Sequence, residues 1–406
     1  MKPGDQTRLA SVDAVRAHQR RWLEETRTAV AEGGREFAIC NADDFEEIFT
    51  AFDIPVLVVN YWNSIITFSE RKGPHFSAVL RDRGYSPGMF AMGLASTLEP
   101  AEAPWGGLPR PTMIVGTTRD EAQLRVTELW ARAFGCECIP LDFSWTSQYK
   151  KIPPNGWWDL HFDRSMEMID PARHAERVSQ MGKLIAHLEH RLDRRFDHDR
   201  LRQIMEGVNE QMALWQEAFD LIAAARPLPV SLRDQTAIYQ LNWQRGTSIN
   251  IALARDFLEE VRQLVAAGAG CYPSERFRLY LATSGNDPAF HRYVRERWGG
   301  AVVSSRYSGI APMYARDLSQ QAPLDALASR QLFLFDKEPH WEVHEAKRWG
   351  AHGVIGMERD PSRPSRYRRV VEAAGLAYLA LPRDADDDEV RGLIDKFVET
   401  RMLGAT

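Results

Sequence analysis

Residues 111–130, PTMIVGTTRDEAQLRVTELW, limit the possible folds more than any other stretch. PTMIVGTT is apolar and β-branched without alternation, the pattern of a strand buried on both faces. DEAQ then opens a helix in the manner of a capping box, with Asp120 able to cap and Gln123 able to reach back. Val126, Leu129, Trp130, Ala133 and Phe134 fall on one face of that helix. A doubly buried strand running straight into an amphipathic helix is half of a βαβ unit. A parallel sheet with helices on its faces is therefore expected.

The same alternation recurs along the chain. EFAIC reads as a strand, DDFEEIFTAFD as a helix opened by acidic residues that suit its dipole, and PVLVVNYW as a fully buried strand. A helical stretch runs on to about Arg83, GYSPGMFAMGLAS leads to the strand PTMIVGTT, and CECIPLDF closes the unit. Between about 145 and 270 the alternation stops. A Pro- and Trp-rich loop, SWTSQYKKIPPNGWWDLHF, leads into helices striped by Leu201, Ile204, Met205, Val208, Met212, Trp215, Phe219 and Ile222, until RPLPVSL breaks the run. A second unit resumes at FRLYLATSGNDPAF and continues through GAVVSS, RQLFLFD and AHGVIGM. It ends with GLAYLALPRD and the helix DDDEVRGLIDKFVETRML, for which DADDDE is an acidic cap. The first thirty or so residues form a helix with the stripe Val12, Val15, Leu23 and Val30.

The expected organisation is an N-terminal helix (1–34), a first α/β domain (35–145), a helical segment (146–272) and a second α/β domain (273–406). Both α/β domains are expected to be doubly wound, flavodoxin- or Rossmann-like parallel sheets. Ligands of such proteins lie in the crevice beyond the carboxyl ends of the strands.

A net charge of −5 and the lack of any Lys/Arg run argue against a nucleic-acid binder. No apolar run is long enough for a bilayer, and the polar N-terminus lacks a signal-peptide core, so a cytoplasmic protein is expected. Four cysteines, Cys40, Cys136, Cys138 and Cys271, are too few for a disulfide framework. Cys136 and Cys138 form a C-x-C without further ligands nearby, which reads as buried structural thiols.

Several residues have the chemistry of a site, each with a plain structural alternative. Arg119 sits at a strand-to-helix junction, where a guanidinium and a helix N-terminus suit a carboxylate, a phosphate or a thioester oxyanion. The plain alternative is that it pairs with Asp120, Glu121 or an acid of a partner subunit. Tyr61, Trp62 and Asn63 follow a buried strand and could line an acyl pocket, Asn63 bonding a carbonyl, or simply fill a core. LATSGNDPAF, with Ser284, offers small residues whose N–H groups could approach a phosphate, although no full G-x-G-x-x-G is present. His187 and His190 flank Glu189 on a helix and read as a solvated face. His161 and Asp163 in DLHFD could do acid–base work, or cover a Trp-rich hinge. Twelve tryptophans suit a large subunit interface or an aromatic acyl group.

From about residue 36 onward the chain resembles the 2-hydroxyacyl-CoA dehydratase and benzoyl-CoA reductase subunits. FEEIFTAFDIPVLVVN is similar to that family's opening helix and strand, and GYSPGMFAMG to the Gly-Tyr stretch that leads to a cysteine. TTRDEAQLRVTELW is similar to a segment that normally reads Thr-x-Cys-Asp ahead of a helix. IAHLEHRLDRRFDHDRLRQIMEGVNE resembles its helical hairpin, and RPLPVSLRDQTAIYQLNWQRGT its Pro-rich entry to the next helices. AHGVIGMERDPSRPSRY resembles the strand and loop holding a third cysteine, and GLAYLALPRDADDDEVRGLIDKFVE the closing strand and helix.

The resemblance implies two α/β domains per subunit, homologous subunits working in pairs on acyl-CoA thioesters, some of them in anaerobic aromatic metabolism, and a four-iron cluster held by three cysteines. It also implies an ATP-hydrolysing activator that delivers single electrons. Here Phe90, Arg119 and Ser362 stand at the three cysteine positions, while Asp120 is retained. Soft thiolate donors hold such clusters, so this chain is expected to bind no cofactor itself. A CoA thioester is the expected substrate, and any iron–sulfur cluster would sit on a homologous partner subunit. Arg119, Asp120 and Asn63 are the expected catalytic residues, and Tyr61, Trp62, Phe90 and Ser284 the expected substrate contacts. The chain would then be either a supporting subunit or a non-redox CoA-thioester enzyme, and a non-catalytic scaffold or acyl-CoA-binding homologue is the alternative.

Overall fold

The computed structural model describes residues 9–40, 45–86, 88, 91–117, 121–142, 156–282, 288–333, 339–358, 365–382 and 386–404. Eight strands among them form two four-stranded sheets, and every pairing is parallel. The first sheet holds β1 (Ala38–Cys40), β2 (Val56–Val58), β3 (Met113–Thr117) and β4 (Glu137–Leu141) in the order β2-β1-β3-β4. The second holds β5 (Phe277–Leu281), β6 (Gly300–Ser305), β7 (Gly353–Glu358) and β8 (Ala377–Pro382) in the order β6-β5-β7-β8. Both orders are one doubly wound pattern, with the reversal between the first and third strands of each sheet.

The long N-terminal helix α1 (Ala10–Gly33) buries Val12, Val15 and Leu23 and ends on Gly34, whose φ of 61° suits a residue without a Cβ. The short helices α2 (Glu46–Ala51), α3 (Val59–Ser64), α4 (Gly73–Asp82) and α5 (Met92–Leu98), with the longer α6 (Glu121–Phe134), surround the first sheet. Gly93 in α5 is required by packing, because a Cβ there would meet the Trp130 ring of α6 at 2.3 Å. The helical segment comprises α7 (Pro171–Leu192), α8 (His198–Ala224), α9 (Leu232–Ile238) and α10 (Ser248–Ala266). All eight residues of the expected α8 stripe are buried. The second sheet carries α11 (Pro288–Trp298), α12 (Arg306–Ile310), α13 (Pro323–Phe333), α14 (Pro339–Arg348), α15 (Arg366–Ala373) and α16 (Asp387–Phe397). Asp386 caps α16, accepting from the N–H groups of Asp388 and Glu389 as the acidic run suggested.

Two strand readings need correction. PVLVVNYW is a strand only to Val58, and Val59 already begins α3. A run of apolar residues buried on all sides has no periodicity to separate strand from helix. The first four residues of RQLFLFD, 330–333, are not strand but the end of α13, and the last three lie outside the described residues. Ala326, Leu327 and Ala328 of that helix are buried in the core of the first sheet, although α13 lies in the β6–β7 crossover.

This crossover and α8 join the two units. The first-sheet core takes in Leu201, Ile204 and Met205 from the start of α8. A second core takes in Val208 to Ala223 from the rest of that helix, with Val12 and Val15 of α1 and Ala301 and Val303 of β6. At 1.5 Å per residue, α8 is about 40 Å long and can serve both cores.

Candidate functional site

Beyond the carboxyl end of β1, α2 opens with Glu46 and Glu47, and both side chains are buried. Arg245, on the loop between α9 and α10, puts Nε 2.7 Å from Glu47 Oε1 and Nη1 2.9 Å from Glu46 Oε1. Arg330 of α13 also donates to Glu47 Oε1. Glu47, Arg245 and Arg330 are at most 2% exposed, so one carboxylate ties the first sheet, the helical segment and the β6–β7 crossover together. The Tyr314 ring lies under both cations, 4.5 Å from the Arg245 guanidinium and 5.8 Å from that of Arg330. Arg330 Nε donates to the Tyr314 carbonyl at 2.9 Å.

Burial alone would raise the Glu47 pKa, but the two guanidiniums override it and hold the carboxyl at about 2. For Arg245 burial opposes the charge, and the Glu46 and Glu47 carboxylates overcome it and raise the pKa. Nearby Arg316 goes the other way: burial, then the Arg330 charge, bring it down to about 9. Arg316 bonds Ser329 Oγ (2.8 Å) and the Met313 and Ala315 carbonyls (2.6 and 2.7 Å). Asn209, the helix-borne amide of VNE, fixes its backbone by accepting from Arg316 N at 3.0 Å and donating to Arg316 O at 2.7 Å.

The carboxyl end of the second sheet carries another polar cluster. Arg306, directly after β6, donates to the buried Glu342 of α14 (Nε–Oε1 2.8 Å) and to the Ala282 carbonyl beyond β5 (3.2 Å). Glu358, at the end of β7, accepts from Tyr378 Oη at 2.9 Å and from Ser365 Oγ, the cap of α15. Burial and Glu342 push the Tyr367 hydroxyl well above its ordinary pKa, and burial and Glu358 do the same for Tyr378. Both hydroxyls stay protonated at neutral pH, and that of Tyr378 donates to Glu358.

An aromatic path joins the two ends. Tyr61 of α3 lies 6.4 Å from Tyr239, which lies 5.0 Å from Tyr307 of α12, ring centre to ring centre. Tyr239 and Tyr307 also pack on an apolar cluster that includes Trp157, Met313 and Trp341.

Of the residues singled out from sequence, Phe90, Arg119, Asp120, Ser284 and Ser362 lie outside the described residues. Trp62 is buried and donates to Ser96 Oγ at 3.0 Å. Asn63 is fully buried; its Oδ1 accepts from Gly93 N at 2.8 Å, while its Nδ2 has no partner among the described residues. His161 Nδ1 lies 2.7 Å from the Trp158 carbonyl, burial lowers its pKa, and Asp163 is exposed. His187 meets Glu137 at 3.2 Å, whereas Glu189 accepts from Phe196 N at 2.9 Å, so the AHLEH triplet serves separate contacts.

The sequence reading did not single out Glu47, Arg245, Arg316 or Arg330. The available signal was charge inside apolar context: Glu46–Glu47 between Phe45 and Ile48, and Arg330 in ALASRQLF.

Residues 46–400 match the family described as 2-hydroxyglutaryl-CoA dehydratase, D-component. The chain belongs to this family. The match leaves out only the first 45 and the last six residues. No curated protein matches the chain. Dehydratase-family membership and two doubly wound domains agree with the resemblance read from the sequence.

Cysteine placement tests the fit of a cluster. Cys40 pairs with Val115 on β3, and Cys138 on β4 pairs with Ile114, so two strand spacings, about 10 Å, separate Cys40 from the C-x-C pair. Cys271 packs against the other core. Burial, then Cys138, pushes the Cys136 thiol up to about 11, and burial raises Cys138 and Cys271 as well. Cluster ligation needs thiolates that converge. The four are spread apart, and three of them, Cys136, Cys138 and Cys271, are held protonated, so the donor set does not fit.

Proposed function

We propose that this chain is a subunit of an acyl-CoA-processing complex that keeps the family's two-sheet frame without carrying an iron–sulfur cluster. It pairs with a homologous subunit, binds a CoA thioester, and supports a cluster-bearing partner rather than transferring electrons itself. The observation that supports this best is the spread of the four cysteines over separate elements; the resemblance read from the sequence puts Phe90, Arg119 and Ser362 where the family would carry its ligands. In this reading Arg119, next to Asp120 in the sequence between β3 and α6, holds an anionic group. Asn63 directs its uncommitted Nδ2 to a carbonyl, and Tyr61, Trp62, Phe90 and Ser284 line the acyl side.

Iron and sulfide analysis of anaerobically purified protein is expected to find no stoichiometric iron on this chain alone. Retention of a cubane would overturn the reading. Thioester turnover is expected only with the partner present. Arg119→Ala should weaken CoA-thioester binding or turnover by about tenfold or more; unchanged values would remove the anion role.

A second reading, a scaffold without turnover, is favoured by the Glu47–Arg245–Arg330 clasp. It sets paired, buried charges just beyond the carboxyl end of β1. Turnover by the assembled complex that falls with Arg119→Ala would rule it out.

A further inference from the structure

A groove opens at the amino end of the first sheet, the end opposite the Glu47 cluster. It is lined by residues just ahead of three adjacent strands: Arg35 before β1, Arg110 before β3 and Gly135 before β4. The end of α1 adds Arg27 and Val30, and the end of α7 adds Arg191. Its volume of about 490 Å³ is that of a small-molecule site.

Four arginines line this groove, and no Asp or Glu does. Arg191 is neutralised: it holds Glu36 at 3.1 and 3.3 Å and Glu137 at 3.0 Å. The other three meet no carboxylate among the described residues. Arg27 donates to two carbonyls, Trp105 O at 2.7 Å and Gly107 O at 2.8 Å. Arg35 donates to Asp53 O at 3.0 Å, while the Asp53 carboxylate is taken by Arg194 and Arg200. Arg110 is exposed and makes neither a hydrogen bond nor an ion pair to any described residue. The carboxyl ends of α1 and α6 lie beside the groove, and each carries about half a negative charge. Three full positive charges exceed what two helix ends offset.

We propose that this groove binds an oligophosphate, free or carried on a nucleoside, through Arg27, Arg35 and Arg110. Guanidinium forks match phosphate oxygens, and phosphates in a row can meet separated cations where one small anion meets only one of them. Val30, Leu108 and Pro111 give the groove an apolar wall against which a base can lie. Arg27, Val30 and Arg35 precede residue 46, so this side of the groove lies outside what the family match covers. The inference stands apart from the thioester reading, which concerns the other end of the sheet.

Isothermal titration of the full chain in about 0.15 M salt tests it with tripolyphosphate, ADP and adenosine. Saturable binding of tripolyphosphate, ADP or both is expected. Tighter binding of ADP would assign the nucleoside-borne source, and tighter binding of tripolyphosphate the free one; either supports the site. Arg110→Gln breaks no bond among the described residues, so the ligand-free variant should melt with the wild type. It is expected to weaken the phosphate ligands by about tenfold or more. Arg125→Gln, on the exposed face of α6 and outside the groove, should leave their affinity unchanged. If neither phosphate compound binds saturably, the inference is overturned. Undiminished binding in Arg110→Gln overturns it, and so does an equal loss in Arg125→Gln, which would make the attraction one of diffuse surface charge. Adenosine binding as tightly as ADP would remove phosphate from the recognition and overturn it too.

Discussion

At the first sheet, Glu47 is bonded by Arg245 and Arg330, which lie 198 and 283 residues further along the chain. At the second sheet, Glu342 takes Arg306 from 36 residues back and Glu358 takes Tyr378 from 20 residues ahead. The strand order is the same, and both clusters sit at the carboxyl ends where ligands of such sheets bind. One sheet completes its polar end within its own unit. The other borrows cations from the helical segment and from the second unit's crossover. The first cluster is thus also an inter-unit joint, and the two should respond differently to damage.

The largest expected effect is at Glu47. Glu47→Ala strands Arg245 and Arg330 in a buried site and should cost about 3–5 kcal/mol in denaturant unfolding. A loss under 1 kcal/mol would remove the joint from the comparison. Glu342→Gln should cost less, about 1–3 kcal/mol, because Arg306 is only partly buried and can turn toward water. If it costs as much as the Glu47 change, the two ends are equivalent after all.

Acid sharpens the contrast. The folded Glu47 pKa of about 2 is below its ordinary 4.5, so its contribution is complete above pH 4.5 and lost as pH falls from there toward 2. Stability measured across that window should fall less steeply in Glu47→Gln than in the wild type. Parallel curves would place the acid-sensitive groups elsewhere. Gly93→Ala probes neither cluster; by pressing on Trp130 it should cost about 1–3 kcal/mol, as ordinary overpacking does. The smallest effect is chemical: with its pKa near 11, Cys136 should be alkylated slowly at pH 7.5 and faster above pH 9. Rapid labelling at neutral pH would contradict its burial.

How much was legible follows from where each signal resides. Met113–Thr117, Gly300–Ser305 and the α8 stripe could be read directly, because burial on two faces or one helical face selects local composition. The overrun of β2 past Val58 and the misreading of RQLFLFD share a cause. A short apolar run is the same composition in either secondary structure, and its choice is made by neighbours. Asn63 was legible as a polar residue in apolar surroundings, but its bond to Gly93 N was not. The Glu46–Glu47 pair was read as helix-opening acids suited to a dipole, which is true of their position in α2 and misses their main partners.

The linear chain by itself determined the two rounds of strand and helix and the family. These depend on local pattern and on residue identity, which a sequence states outright. Only the tertiary structure decided that α13 crosses into the first unit's core and that one glutamate holds two arginines from distant segments. Each depends on groups far apart along the chain meeting where water is excluded. Pairing energies there are set by distance and burial, and neither is written in the order of the residues.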